Sequence, residues 1–174
     1  MIKISVCDDD EGQLTFFKQC FMEYNEKHKE KIEANFYQSV QSLLNEKKFS
    51  PDVYFLDIEL QDGNGLKLAG KIRTRNSKIP IVFITSHEEF MPEAFHVHAY
   101  QYLNEKKNAQ AVENVLNQLA DYFSEQNQIF SFQTYGEMIS LDCRNIICFT
   151  SEKRKNIVIA ENGEFEYYGK FSAI

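Results

Sequence analysis

The sequence contains no tryptophan, three prolines, seven glycines and four cysteines among its 174 residues. With so little proline and glycine, and no low-complexity run, it has no composition for long flexible linkers. A share of 43% hydrophobic and 26% charged residues describes a folding chain instead. No apolar stretch approaches the roughly 20 residues of a membrane helix, and the N-terminus lacks the basic-then-apolar pattern of a signal peptide. A cytoplasmic protein with no membrane contact is expected. Cys7, Cys20, Cys143 and Cys148 show no CxxC spacing, which argues for reduced, mostly buried thiols over a disulfide frame or a zinc cluster. Positive charge is also scarce. The net charge of -7 excludes a surface that grips nucleic acid throughout, while permitting a local basic patch. Residues 1–128 carry 14 Lys/Arg against 20 Asp/Glu, a net of -6, so the acidity lies in the first part.

What is present alternates. Residues 2–7, 32–37, 53–58, 79–85 and 100–103 read as short strands rich in β-branched and aromatic residues. Between them, Leu14, Phe17, Cys20, Phe21 and Tyr24 recur at helical spacing, as do Val40, Leu43 and Leu44, then Leu66, Ala69 and Ile72, and Val112, Val115, Leu116, Leu119 and Phe123. A helix at "EEFMPEAF" is interrupted by Pro92. Five strand–helix units with strands this apolar imply an α/β fold with a parallel sheet covered on both faces, its site at the strands' C-terminal ends. From about Gln128 the pattern becomes strand-like runs broken by "YGE", "CRN", "SEKRKN" and "ENG", which suits hairpins. The expected division is 1–125 and 126–174.

The first strand runs into Asp8, Asp9 and Asp10, and the third ends at Asp57. Carboxylates so crowded repel one another, and a cation relieves that repulsion. Hard oxygen ligands of this kind suit Mg²⁺, which keeps several waters and is commonly shared with a phosphate. Thr85 ends the fourth strand on the same rim and offers a hydroxyl to a phosphoryl oxygen. The layout suits phosphoryl transfer to a carboxylate nucleophile.

Through "CDDD", "FLDIELQDGNGLKLAGKIR", "IVFITSHEE" and "AFHVHAYQYL", taken in that order, residues 1–125 resemble bacterial response-regulator receiver domains. The tail, with "ISLDCRNIICFTSEKRKNIVIAENGEFEYYG", looks like the opening strands of a LytTR-type DNA-binding domain of the AgrA and LytR class. The resemblance implies a flavodoxin-like (CheY-like) sheet of order 2-1-3-4-5, followed by a short all-β fragment. It implies Asp57 as the acceptor of a phosphoryl group from a sensor histidine kinase. Asp8, Asp9 and Asp57, with the backbone carbonyl of Glu59, would hold Mg²⁺; Thr85 would bond the aspartyl phosphate and Tyr102 would be the switch aromatic. Phosphorylation would drive homodimerisation and, through the tail, control of transcription.

One position departs from the family. Where members carry a lysine three residues after the switch aromatic, this chain has Glu105. A carboxylate about 4 Å from a phosphate is repelled by roughly 4 kcal/mol at an effective dielectric of about 20. The expectation is a bulge after Leu103 that delivers Lys106 to the site, with Lys107 the second choice.

Lys153, Arg154 and Lys155 stand between two strands as candidate phosphate contacts to DNA, though a solvated hairpin tip explains them as well. Since a complete LytTR domain continues well past residue 174, weak or no binding to promoter DNA is expected of this chain. His96 and His98 would share a face if their segment were a strand, but further zinc ligands are lacking nearby. Two other functions fit the same acids. One is a stand-alone receiver acting as a phosphate sink or protein-interaction module. The other is a Mg²⁺-dependent aspartyl-phosphate phosphohydrolase, disfavoured because Glu59 stands where haloacid-dehalogenase-like phosphatases place a second aspartate. A switch that holds one phosphoryl group is expected over a dedicated enzyme.

Overall fold

The computed structural model describes residues 1–85, 87–104, 107–126, 128–134, 136–152 and 155–167, and only the backbone of residue 88. Contacts divide it into two compact units, Met1–Gln118 and Leu119–Ile174.

The first unit is built on strands β1 (Ile2–Cys7), β2 (Ile32–Tyr37), β3 (Val53–Leu56), a two-residue hairpin β4 (Glu59–Leu60) and β5 (Gly63–Asn64), then β6 (Ile81–Ile84) and β7 (Gln101–Leu103). Five of them form a parallel sheet in the order β2-β1-β3-β6-β7. Leaving out the small hairpin, this is the 2-1-3-4-5 order. Helices α1 (Glu11–Lys27), α2 (Val40–Asn45), α3 (Gly65–Arg75), α4 (Met91–His96) and α5 (Ala109–Gln126) follow successive strands.

The apolar runs of the central strands follow from their position. Ile4 and Val6 in β1, Val53, Phe55 and Leu56 in β3, and every residue of β6 are fully buried, as a sheet covered on both faces requires. Phe17 and Phe21 of α1 set their rings edge-on to Phe55 at 5.9 Å each. Each such large apolar side chain contributes roughly 1.5–3 kcal/mol by leaving water. On α3, Leu68, Ala69 and Ile72 form the buried stripe.

Local chemistry sets the helix ends. Asp10, third of the carboxylate run, is the N-cap of α1, accepting from the N–H groups of Gly12 and Gln13. Asn64 caps α3 in the same way. Pro92 lies in the first turn of α4 and so begins that helix where interruption was expected, because a first-turn N–H needs no intrahelical partner. Arg73 fastens the end of α3 to the chain beyond, its guanidinium donating to the carbonyls of Ile79 (2.5 Å), Val97 (2.8 Å) and His98 (2.8 Å). The paired-histidine arrangement, already disfavoured by the sequence, is not formed. His96 closes α4 with Nδ1 against the Pro92 carbonyl, and His98 occupies a turn at φ 52°, so the two share no strand face.

The second unit is antiparallel. Strands β8 (Ile129–Thr134) and β9 (Glu137–Asp142) form one hairpin; β10 (Ile146–Glu152), β11 (Lys155–Ala160) and β12 (Gly163–Tyr167) form a meander. Gly136 at φ 105° and Gly163 at φ 144° turn the chain where a side chain would be strained. Phe132, Leu141, Val158, Ala160 and Tyr167 make its small core. Among the described residues no helix is long and apolar enough to cross a membrane.

Candidate functional site

The carboxylates gather at the C-terminal ends of β1 and β3. These strands pair in parallel, Cys7 opposite Leu56, so the residues that follow them leave the sheet side by side. Asp8, Asp9 and Asp57 each bring one oxygen within 4.8 Å of the others. Asp8 is 0% and Asp57 2% exposed. Asp9 and Asp57 open into a cleft of about 560 Å³ whose wall is Glu59, Leu60, Gln61, Gly63 and Asn64.

Backbone hydrogen bonds hold the acids in place. The Asp57 N–H donates to Cys7 O (2.8 Å), continuing the ladder one residue beyond β3, while its Oδ1 accepts from the Ile58 N–H (2.8 Å). Asp8 donates its N–H to Tyr37 O and accepts from the Asp10 N–H at Oδ1 (2.9 Å). Asp9 Oδ2 takes the Gln61 N–H at 3.0 Å, tying the end of β1 to the wall of the cleft. Two full charges 4–5 Å apart repel by about 4 kcal/mol at an effective dielectric of about 20, which a divalent cation among these oxygens would reverse. The donor set is all hard oxygen, in a pocket open to water, and fits a cation of the magnesium kind.

The nearby thiol registers the same field. Burial, followed by the charges of Asp62, Asp8, Asp57 and Asp9, pushes the Cys7 thiol up to about 12. Cys7 is therefore an inert part of the core.

Thr85 is fully buried just beyond β6, the strand next to β3, and its N–H donates to Leu103 O. Its Oγ1 accepts from the N–H of His87 at 3.3 Å. Tyr102, half-buried on β7, donates its hydroxyl to the His87 carbonyl. The two residues singled out as switch partners thus meet on the backbone of one histidine. That histidine also reaches the rim. His87 Nε2 lies 3.2 Å from Glu59 Oε2 and Nδ1 2.9 Å from Glu89 Oε1. The Glu89 hydrogen bond, against a smaller desolvation effect and helped by the charges of Glu59, Glu89 and Asp57, holds its pKa above the usual imidazole value.

Sequence reasoning missed His87, whose available signal was a titratable ring two residues past the strand-end hydroxyl. Asp62 was missed too. Its carboxylate accepts from the N–H groups of Val40 and Gln41 at 2.9 Å each, capping α2 from another loop, and these bonds hold its pKa below the carboxylate norm.

Lys106 and Glu105 lie outside the described residues, as do Lys153 and Arg154. Lys107 is described, with its ammonium beside the first turn of α1, 3.9 Å from where a Cβ on Gly12 would stand. Lys155 sits at the start of β11 with Nζ 2.8 Å from Glu166 Oε2. Among the described residues Asp8, Asp9 and Asp57 form the one cluster of metal-ligating side chains, and His96 and His98 belong to none.

The profile described as "Response regulator receiver domain" matches residues 4–117. An uncharacterized response regulatory protein of Yersinia pestis is 29% identical over 120 residues, 69% of this chain and 49% of its own. The sensory transduction protein LytR of Staphylococcus haemolyticus is 32% identical over 95 residues, 55% of this chain and 36% of its own. The chain thus spans about half, or less, of the length of these relatives. Among solved structures, a CheY-like response regulator receiver domain protein from Methanospirillum hungatei superposes with a TM-score of 0.62 at 18% identity, covering 72% of this chain and 98% of its own.

Proposed function

Because the chain belongs to the response regulator receiver domain family, we propose that Asp57 accepts a phosphoryl group from a sensor histidine kinase in a Mg²⁺-dependent reaction. The observation that carries this reading is the meeting of Asp8, Asp9 and Asp57 within 4.8 Å at the mouth of an open cleft.

The residues divide the work. Asp57 is oriented by the Ile58 N–H at Oδ1, and a carboxylate oxygen attacks phosphorus in line with the departing nitrogen of the phosphohistidine. The P–N bond breaks as the O–P bond of the acyl phosphate forms, and the leaving imidazole takes up a proton. Asp8, Asp9 and Asp57, with the Glu59 carbonyl, would hold Mg²⁺, which when bound neutralises charge on the phosphoryl oxygens. The Thr85 hydroxyl would bond a phosphoryl oxygen. Any movement of Thr85 is shared with Tyr102, since both bond His87. Lys106 is the proposed cation of the site.

The readout is proposed to be association of receivers and, through the antiparallel unit as the start of a LytTR-like output module, control of transcription. The hairpin and meander after α5 support that reading, as does the likeness to LytR.

Treatment with phosphoramidate and Mg²⁺, followed by intact-mass spectrometry, tests the proposal. One phosphoryl group is expected on the wild type and none on Asp57→Asn. Equal uptake by both proteins, or release of phosphate over many turnovers without a stable adduct, would overturn it.

A further inference from the structure

A second cleft lies toward the other end of β3. It holds about 450 Å³ between the end of α2, the start of β3 and the last turns of α3, within the range of small-molecule sites. A third depression, near Cys20 and Glu113, encloses about 20 Å³, room for no more than a water.

The second cleft is apolar inside and cationic along one wall. Leu43 and Ile72 are buried there, with Leu44, Tyr54 and Ile79 partly buried beside them. Lys71 and Arg75 line the α3 wall four residues apart, one turn of the same helix face. Like charges so placed repel, and among the described residues neither has an ion-pair partner within 4 Å. The charge of Arg75 is felt by the Tyr54 phenol, which burial, then Tyr37, otherwise raises above its usual pKa. Facing them at the α2 end is Glu46, whose Oε1 accepts the Lys48 N–H at 2.7 Å.

We propose that this cleft binds a small organic monoanion, its apolar or aromatic body against Leu43, Leu44, Ile72 and Tyr54 and its carboxylate on Lys71 and Arg75. The guanidinium fork of Arg75 matches a planar carboxylate, and an anion between the two cations removes their repulsion. Glu46 opposes a second negative group at the α2 end and so excludes dicarboxylates. The acid cup of Asp8, Asp9 and Asp57 has the opposite charge and repels the same ligand. Tyr54 lies in β3 and Asp57 just past its end, three residues and roughly 10 Å of extended chain apart, so the two sites are distinct.

The test is a titration of the ¹⁵N-labelled full chain with indole-3-propionate and its neutral amide, followed by amide chemical shifts. Saturable shifts confined to α2, the start of β3 and the last turns of α3 are expected, with a Kd of about 1 mM or tighter. The amide should bind at least about tenfold more weakly. The double variant Lys71→Met with Arg75→Met keeps the aliphatic stems on exposed helix positions and should lose that preference for the acid. Asp57→Asn should bind as wild type does, which separates this site from the phosphoacceptor reading. Shifts that do not saturate, that centre on Asp57, or that are equal for acid and amide would overturn the proposal, as would a Met variant that keeps wild-type affinity.

Discussion

A Cβ placed on Gly65 would stand 2.0 Å from the carbonyl oxygen of Asp57. The first residue of α3 is thus packed against the backbone of the phosphoacceptor candidate, and its N–H donates to Ile58 O at 2.8 Å. The cause is close approach rather than an unusual φ. Gly65→Ala should lower stability in urea by about 1–3 kcal/mol or more and reduce phosphoryl uptake by displacing Asp57. Gly70→Ala is the control, since nothing lies within 4 Å of its Cβ, and alanine inside a helix should add about 0.5–1 kcal/mol. Equal effects from both would show that the approach to Asp57 is unimportant.

His87 should titrate above the ordinary imidazole value of about 6.5. The imidazolium is favoured in the folded state, so the stability it brings is fully present below about pH 6.5 and is lost as pH rises through the higher folded value. Following the ring protons by NMR should give a raised midpoint, and Glu89→Gln should bring it down, because the hydrogen bond to Glu89 is the largest cause. An unchanged midpoint in that variant would remove Glu89 from the account.

The four thiols should separate by reactivity. With iodoacetamide at about pH 8, exposed Cys148 should be alkylated in the folded protein while Cys7, buried and pushed up to about 12, stays unmodified until denaturant is added. Peptide mass mapping reads both. Rapid modification of Cys7 in the native state would mean that the end of β1 opens readily.

Arg73 donates to the carbonyls of Ile79, Val97 and His98, three bonds from one guanidinium. Arg73→Ala should cost about 2–4 kcal/mol in urea unfolding, and Arg73→Lys should recover only part, since an ammonium lacks the planar fork. Full recovery by lysine would reduce the role of Arg73 to charge alone.

The sheet was legible because buried parallel strands must be nearly continuous apolar runs, as β1, β3 and β6 are. The acids were legible because strand ends in such a sheet are where polar side chains can converge. What could not be read depended on partners distant in sequence. Asp10 looks like its neighbours Asp8 and Asp9 until a helix start claims it as a cap. Asp62 and His87 acquire their roles only when α2 and β4, 22 and 28 residues away at Val40 and Glu59, fold beside them. Pro92 misled because an isolated proline does not say whether it interrupts a short helix or begins one.

The carboxylate of Asp62 belongs to the loop beside the acid cleft, yet the N–H groups it satisfies are those of α2. Swinging that loop outward would leave two N–H donors of a six-residue helix, too short to persist unaided, without their acceptor. Widening of the mouth should therefore be coupled to fraying of α2, and amide exchange at Val40 and Gln41 would gauge it.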